Sequence, residues 1–466
     1  MSKKTPVSDT FCILPWTHLM IQPNGNIQPC CMTPHDMPVG NTKEDTLEEV
    51  WNGFVMKNIR KKMLKGEKPM LCNRCYMMED NGAISPRVNM TEKFGADVDK
   101  MIANTNRETG HNNDFSLKYW DFRFSNICNF KCRMCGTFAS SKWADDEMAI
   151  HGQSNNGLMN FRSESREDIM NYVDKFIGDV QEIYFAGGEP LIMDEHYIIL
   201  EKLIKAGRTN VDIRYNTNFS HIKFKKWNLE KLWKPFIDDK NGKVSVMVSL
   251  DAVGELSELA RNGTNWNELY NNIKSTIGTG VHIFISPTIS ILNVFELPKL
   301  FDTIRELGVS PHNIIFNNFL TEPHHFDIRI LSEELKSELI DKLLNYKNQL
   351  PNDAYKFKLS YCVDSCINFF NNKLDIEQHE IEVRRRELFR VTTILDIRRN
   401  ENFIKVNPQY ENWFNQIRDS ITNKSVVTDF FKDKTNQYHN ITDAKKDSLY
   451  SDNLYSYLGI KKHKLI

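Results

Sequence analysis

The stretch NICNFKCRMCG, residues 126–136, sets Cys128, Cys132 and Cys135 in a C-x3-C-x2-C spacing. The chain has 466 residues and ten cysteines. At that composition such a triplet arises by chance in roughly one sequence in two hundred. Three thiolates this close suit a soft metal centre. Structural zinc wants four ligands, usually as two separated pairs, and no partner pair lies near. A [4Fe–4S] cluster held by three cysteines keeps one iron open, so the missing fourth thiol leaves a binding site.

Around the triplet the pattern alternates. KYWDFRFS (118–125), EIYFAGG (182–188), VDIRYNTN (211–218), KVSVMVSLD (243–251), VHIFISPTIS (281–290) and NIIFNN (313–318) read as strands. Between them FASSKWADDEMAI, MDEHYIILEKLIKAG, KFKKWNLEKLWKPFI, WNELYNNIKSTIG and ELPKLFDTIRELG read as helices. Short strands alternating with helices of ten or more residues predict βα units and a parallel sheet. Six units are too few for a closed eight-stranded barrel. Periodicity alone fits an open partial barrel and a doubly wound sheet equally. The triplet then lies in the loop after the first of these strands, at the C-terminal edge where α/β proteins keep their chemistry.

FAGGEP (185–190) ends the second strand with Gly187, Gly188, Glu189 and Pro190. Glycines let a backbone approach a ligand, and Glu189 can accept hydrogen bonds from an ammonium. Alone, GGE is more often a turn. In the strand after a cysteine triplet it carries weight, and here 117–320 resembles the core of a radical S-adenosylmethionine (radical SAM) enzyme. The resemblance implies a partial (β/α)6 barrel. It implies a [4Fe–4S] cluster on Cys128, Cys132 and Cys135 that binds S-adenosylmethionine, and its reductive cleavage to a 5′-deoxyadenosyl radical. It also assigns cofactor contacts: Gly187, Gly188, Glu189, Asn218 in NTN, Ser249 and Asp251 in SLD, and Arg261. Met134 stands before the third cysteine where an aromatic is common. Phe219 and Ala252 replace glycines usual after TN and SLD.

A second set of thiols precedes the core. CILPWTHLMIQPNGNIQPCC (12–31) holds Cys12, Gly25, Cys30 and Cys31, and LCNRC (71–75) adds Cys72 and Cys75. By spacing, four separated thiols suit zinc as well as iron–sulfur. The surrounding pattern, with VGN, TLEEVWN and IRKKML, resembles the auxiliary-cluster segment of SPASM and twitch radical SAM enzymes. That resemblance implies one auxiliary [4Fe–4S] cluster on Cys12, Cys30, Cys72 and Cys75, placed before the core instead of after it. Cys31 stands as a substitute for Cys30 or a spare thiol. A cluster with four thiolates has no open iron and suits electron uptake more than substrate binding.

Hydrophobic content of 40% and charged content of 26% indicate a globular chain. Lys plus Arg (60) balance Asp plus Glu (61), so no global field attracts nucleic acid or membrane. The basic runs at 384–386 and 461–464 read as a solvated helix face and tail. The first residues have no signal-peptide pattern, and no window is apolar enough to span a bilayer. Cytoplasmic localisation follows as the expectation, with clustered thiols signalling metal chemistry.

The expected organisation is an auxiliary segment (1–95), a linker (96–116, polar over 104–116), the core (117–320) and a mostly helical C-terminal extension (321–466). Cys362 and Cys366 read as core or free thiols, and His324 and His325 as ordinary loop residues. No general base stands out. The leading expectation is a radical SAM oxidoreductase acting on a peptide or protein side chain, supplied with electrons by a donor such as flavodoxin or ferredoxin. The runner-up is radical dehydrogenation or rearrangement of a small molecule, such as an aminosugar or nucleotide. A non-catalytic iron–sulfur or zinc protein is the third, disfavoured because a bare electron carrier needs no cofactor pocket.

Overall fold

In a computed structural model of the chain, residues 7–152 (apart from 81 and 83) and 166–422 are described. Eight strands make one sheet: β1 (His18–Ile21), β2 (Asn26–Gln28), β3 (Gly40–Asn41), β4 (Tyr119–Phe122), β5 (Glu182–Phe185), β6 (Asp212–Thr217), β7 (Lys243–Val248) and β8 (His282–Ile285). Their order is β8-β7-β6-β5-β4-β1-β2-β3. Strands β4 to β8 are parallel and lie side by side in chain order. A doubly wound sheet reverses direction from a central strand. These five strands show no such reversal.

Helices Asp194–Lys205, Leu229–Asp238, Trp266–Thr276 and Leu297–Leu307 follow β5 to β8 in turn. Asn228 and Asn265 cap two of them, each accepting a backbone N–H three residues on. Gly308 closes the last at φ +78, a conformation that glycine adopts without strain. The strands register so that Val248 lies between Thr217 and Ile285. Loops leaving β4, β5, β6 and β7 therefore rise from one edge of the sheet.

Two expected elements differ. In KFKKWNLEKLWKPFI, Lys223–Phe224 pairs antiparallel with Trp227–Asn228, and the helix begins only at Leu229. Lys225 turns that ribbon at φ +50. The sixth strand, NIIFNN, is reduced to one bridge between Ile285 and Ile314 and a short pair of Asn318–Phe319 with Thr288–Ile289. Its three asparagines favour turns over an extended ladder.

The N-terminal segment is part of the same sheet. β1 runs parallel to β4 over His18–Ile21 and Tyr119–Phe122. The polar stretch 104–116 is packed: Thr105 and Asn112 are buried, and Trp16 Nε1 donates to Thr105 Oγ1 at 2.8 Å. A Cβ on Gly110 would sit 1.9 Å from the Lys57 carbonyl oxygen, so the chain passes there only as glycine.

After residue 330 the described elements are helical, chiefly Glu333–Gln349, Lys356–Asn371, Gln378–Arg399 and Glu411–Thr422. The run 384–386 lies in the third of these. Arg385 there donates to the carbonyls of Ile330 and Leu331, so it is partly packed. The run 461–464 lies outside the described residues.

Candidate active site

The loop after β4 is shaped before any ligand enters. Asn126 Nδ2 donates to Thr137 O at 2.7 Å, and Ser140 Oγ to Phe130 O at 2.6 Å. Trp143 Nε1 donates to Cys132 O at 2.8 Å. Lys131–Cys132 pairs antiparallel with Arg261–Asn262. Cys128, Cys132 and Cys135 thus stand on one braced loop, with Cys132 buried and the others half-buried. The Cys132–Cys135 hydrogen bond, with Arg261 nearby, lowers Cys132 to about 7 and drives Cys135 up. Burial and the Glu189 carboxylate push Cys128 up to about 12.

The remaining core residues gather at the same edge. Gly188 N donates to Ser125 O and Glu189 N to Ile127 O, at 3.0 and 2.9 Å. A Cβ on Gly188 would meet Ile127 O at 2.2 Å. The glycines therefore admit the cysteine loop itself, where the sequence suggested a ligand. Glu189 is 1% exposed. Its Oε1 accepts from Leu191 N (3.0 Å) and Thr217 Oγ1 (2.5 Å), and its Oε2 from Asn218 N (2.7 Å). Burial outweighs these bonds and lifts its pKa to about 7.

Asn218 Nδ2 donates to Asn129 Oδ1 at 2.9 Å, and its Oδ1 accepts from Ser220. Asp251 is buried, pairs with Arg261 Nε at 2.7 Å and accepts from Thr288 N. Arg261 Nη1 points on to Cys132 Sγ at 3.6 Å. Ser249 is half-buried, and its N–H donates to Thr217 O. Phe219, at the position where a glycine is usual, holds φ +54. It is buried and stacked on Trp233, and that packing offsets the roughly 1–2 kcal/mol of a left-handed side-chain residue. The third cysteine's neighbour Met134 is half-buried against the core.

In the N-terminal segment Gly25 turns the β1–β2 hairpin at φ +82. The hairpin brings Cys30 back toward Cys12, and Cys72 and Cys75 arrive from the turn Met70–Cys72 and the helix Asn73–Asp80. Burial raises the Cys12 thiol first, and Cys72 and Cys75 add to it. Burial likewise raises Cys72, with Cys30 and Cys75 beside it. The four thiols are therefore close enough to act on one another's ionisation. Arg87 frames them, bonding Phe11 O at 2.5 Å and Glu79 Oε1 at 2.9 Å. Cys31 is exposed instead, and Asp121 and Arg123 of the core act on its thiol more strongly than Cys75 does.

The donor sets fit what they would hold. Three sulfurs on a braced loop beside a buried carboxylate and an arginine suit a cluster with one open iron. Four convergent sulfurs suit a fully ligated one. Among the described residues no three His, Cys, Asp or Glu side chains form a site for a single metal ion. A cubane cluster instead spreads its thiolates over separate corners.

Other candidates lie apart. Cys362 and Cys366 are fully buried on one helix face. Burial lowers His325 to about 4, and the charges nearest it are Glu387, Arg390 and His151, none of them at the strand edge. Sequence reasoning missed Asn129 and Ser220, whose bond ties the loop after β6 to the cysteine loop, and Thr217, which holds Glu189. It also missed Arg133, buried, lying between Cys132 and Cys135 in the chain and paired with Glu401 at 2.6 Å. Their partners are distant in sequence, so no local spacing marks them. Among the described residues no helix is long and apolar enough to cross a membrane.

Residues 12–76 match the SPASM iron–sulfur cluster-binding domain, and residues 122–309 the radical SAM superfamily. None of the curated proteins compared with the chain matches it. Among solved structures, native anSMEcpe with bound AdoMet and Cp18Cys peptide shares 16% identity at a TM-score of 0.32, covering 48% of this chain and 57% of that one. Streptococcus suis SuiB bound to precursor peptide SuiA shares 12% at 0.29, covering 63% and 60%. The chain thus spans less than two thirds of the length of either. Likeness at this level carries no functional information.

Proposed function

The chain carries a radical SAM domain behind a SPASM iron–sulfur segment, and from that premise we propose that it is an oxidoreductase acting on a peptide or protein side chain. The observation that carries this reading is the convergence of Cys12, Cys30, Cys72 and Cys75 on a segment whose β1 pairs directly with β4, the strand that launches the three-cysteine loop. We read the parallel strands as a six-stranded partial barrel spanning 117–320. Residues 1–95 then form the auxiliary segment, 96–116 its packed connection and 321–466 the C-terminal extension.

Cys128, Cys132 and Cys135 would hold the cluster that binds S-adenosylmethionine. Bound there, the two groups supply one-electron cleavage of a sulfonium and removal of a hydrogen atom from substrate. Glu189 spends three of its four acceptor positions on the protein and keeps one for an ammonium. An ammonium bound there would lower its pKa again. Asn218 fixes the cysteine loop through Asn129, and Asp251 holds Arg261 against Cys132 sulfur, where a donor N–H stabilises thiolate. Gly187, Gly188 and Ser249 complete the frame. The N-terminal thiols would hold a cluster that takes up the electron left on the substrate. An external flavodoxin or ferredoxin and a cytoplasmic setting complete the proposal.

The test begins with metal content. Anaerobically reconstituted chain should carry about eight irons and eight sulfides if both clusters are cubanes. With dithionite and S-adenosylmethionine it should form 5′-deoxyadenosine, and replacing Cys128, Cys132 and Cys135 by alanine should abolish this while about four irons remain. Stoichiometric zinc in the N-terminal segment would overturn the auxiliary cluster. Peptides from cells with active and triple-mutant chain should differ by loss of two hydrogens. A difference confined to small metabolites would overturn the peptide substrate.

A further inference from the structure

The sheet has one apolar and one polar face. On β6 and β7, Ile213, Tyr215, Val244, Val246 and Val248 are buried. The alternate residues are Asp212, Arg214, Lys243, Ser245 and Met247. Register sets Tyr184 beside Arg214 and Arg214 beside Ser245. A packed barrel fills its interior with branched apolar side chains. This one holds a partly open cavity of about 270 Å³ bordered by Tyr184, Arg214, Lys243 and Ser245, with Met247, Phe284 and Ile315 as its apolar wall. Lys93, from the N-terminal helix Pro86–Phe94, borders it too and pairs with Glu182 and Asp212.

The charges do not balance. Lys93, Arg214 and Lys243 face Glu182 and Asp212. Arg214 Nη1 bonds Glu182 at 2.8 Å, and its side chain stays 36% exposed. Among the described residues Lys243 has no ion pair, and the Tyr184 and Ser245 hydroxyls have no hydrogen-bond partner. One positive charge, on the exposed Lys243 at the chamber's rim, and two hydroxyls are left over.

We propose that Arg214, Lys243, Ser245 and Tyr184 form a subsite for one carboxylate of the substrate, with Met247, Phe284 and Ile315 against its apolar body. This rests on the radical SAM reading. A carboxylate supplies the single negative charge missing and matches a guanidinium fork. A phosphate would carry more charge than the site balances. The volume falls below the roughly 300 Å³ of a whole small-molecule pocket, so it takes one end of a substrate. Arg214 lies four residues below Asn218, about 13 Å at strand rise. The bound end therefore leaves the rest of the substrate directed toward the cysteine loop. The N-terminal segment contributes the chamber's Lys93 besides its thiols.

The test uses reconstituted full-length chain saturated with S-adenosylmethionine. Glutarate, glutaramide and the blocked peptide acetyl-Ala-Glu-Ala-amide are titrated by calorimetry. A carboxylate should bind and the diamide should not. Arg214→Gln and Lys243→Met should each weaken binding tenfold or more, while Lys234→Met on the outer surface should not. Binding by peptide identifies a side-chain carboxylate, and binding by glutarate alone a free acid. Equal binding of glutaramide, or no loss in folded Arg214→Gln, overturns the subsite, as does failure of both carboxylates to bind. Deoxyadenosine formation is measured in parallel. Its absence would overturn the radical SAM reading, and its presence without carboxylate binding only the subsite.

Discussion

Glu189 shows how one residue carries two demands. It is an acid buried at a strand edge, and burial raises it from 4.5 to about 7. A raised folded pKa means stability is fully present below about pH 4.5 and is lost as pH rises through 7. The loss is on the order of 3 kcal/mol. In cluster-free chain, Glu189→Gln should melt at the same temperature as the parent at low pH and higher than it at pH 8. Melts of both proteins from pH 4 to 8 would show this, and parallel curves would reject it. The reconstituted variant should also bind S-adenosylmethionine at least tenfold more weakly, because a neutral amide cannot pair an ammonium. The cysteines, GGE and Asn218 were legible because chemistry-bearing residues keep fixed offsets from strand ends. The three donors to Glu189 were not: two are the backbone N–H groups of Leu191 and Asn218, which leave no mark in a sequence, and the third is the Thr217 hydroxyl from another strand.

At the scale of elements, the helix Gln378–Arg399 is fastened to the cysteine loop. Arg133, inside the C-x2-C, pairs with Asp396 and with Glu401. Asp146, in the helix after the loop, takes Arg398 at 2.7 Å and Arg399 at 3.0 Å. Cys135 packs with Trp143, Ile150, Val391 and Leu395. Removing one partner of a buried pair costs about 3–5 kcal/mol. Asp396→Ala with Glu401→Ala should therefore lower the melting temperature and the iron held by the three-cysteine loop, leaving N-terminal iron intact. Adding Arg133→Met should restore most of the stability. If iron were lost equally from both sites, the helix would not act through this loop. The helices were legible as periodic runs, but nothing near 133 points to residues 396 and 401.

For the whole molecule, the parallel pairing of β1 with β4 makes the N-terminal segment structural as well as functional. Excising residues 1–95 would leave β4 as an open edge in the sheet. The remaining chain should aggregate on expression, and a soluble, cluster-binding 96–466 would show that the core folds alone. Cys72→Ala with Cys75→Ala is milder, since β1 remains. That variant should still form deoxyadenosine with substrate present, while oxidised product falls. Circular dichroism and residual iron must accompany the assay, because losing a metal centre can unfold its surroundings. A well-folded variant making product at the parent rate would leave the N-terminal cluster a structural role only.

The sequence by itself determined the alternation of strands and helices, the two cysteine sets and the sheet edge that carries the three-cysteine loop. Those features depend on short-range periodicity and spacing, which a chain displays in any conformation. It left partial barrel and doubly wound sheet undecided, because neighbour order depends on which strands pair. Tertiary structure decided that order, with β4 to β8 side by side. It also decided that the polar stretch 104–116 is packed, since Gly110 must pass against Lys57. It set Cys30, half-buried, where Cys12 and Cys75 act on its thiol, and left Cys31 exposed. Cys30 and Cys31 follow the end of β2, where the chain turns, and only the fold of that turn sets their different exposure.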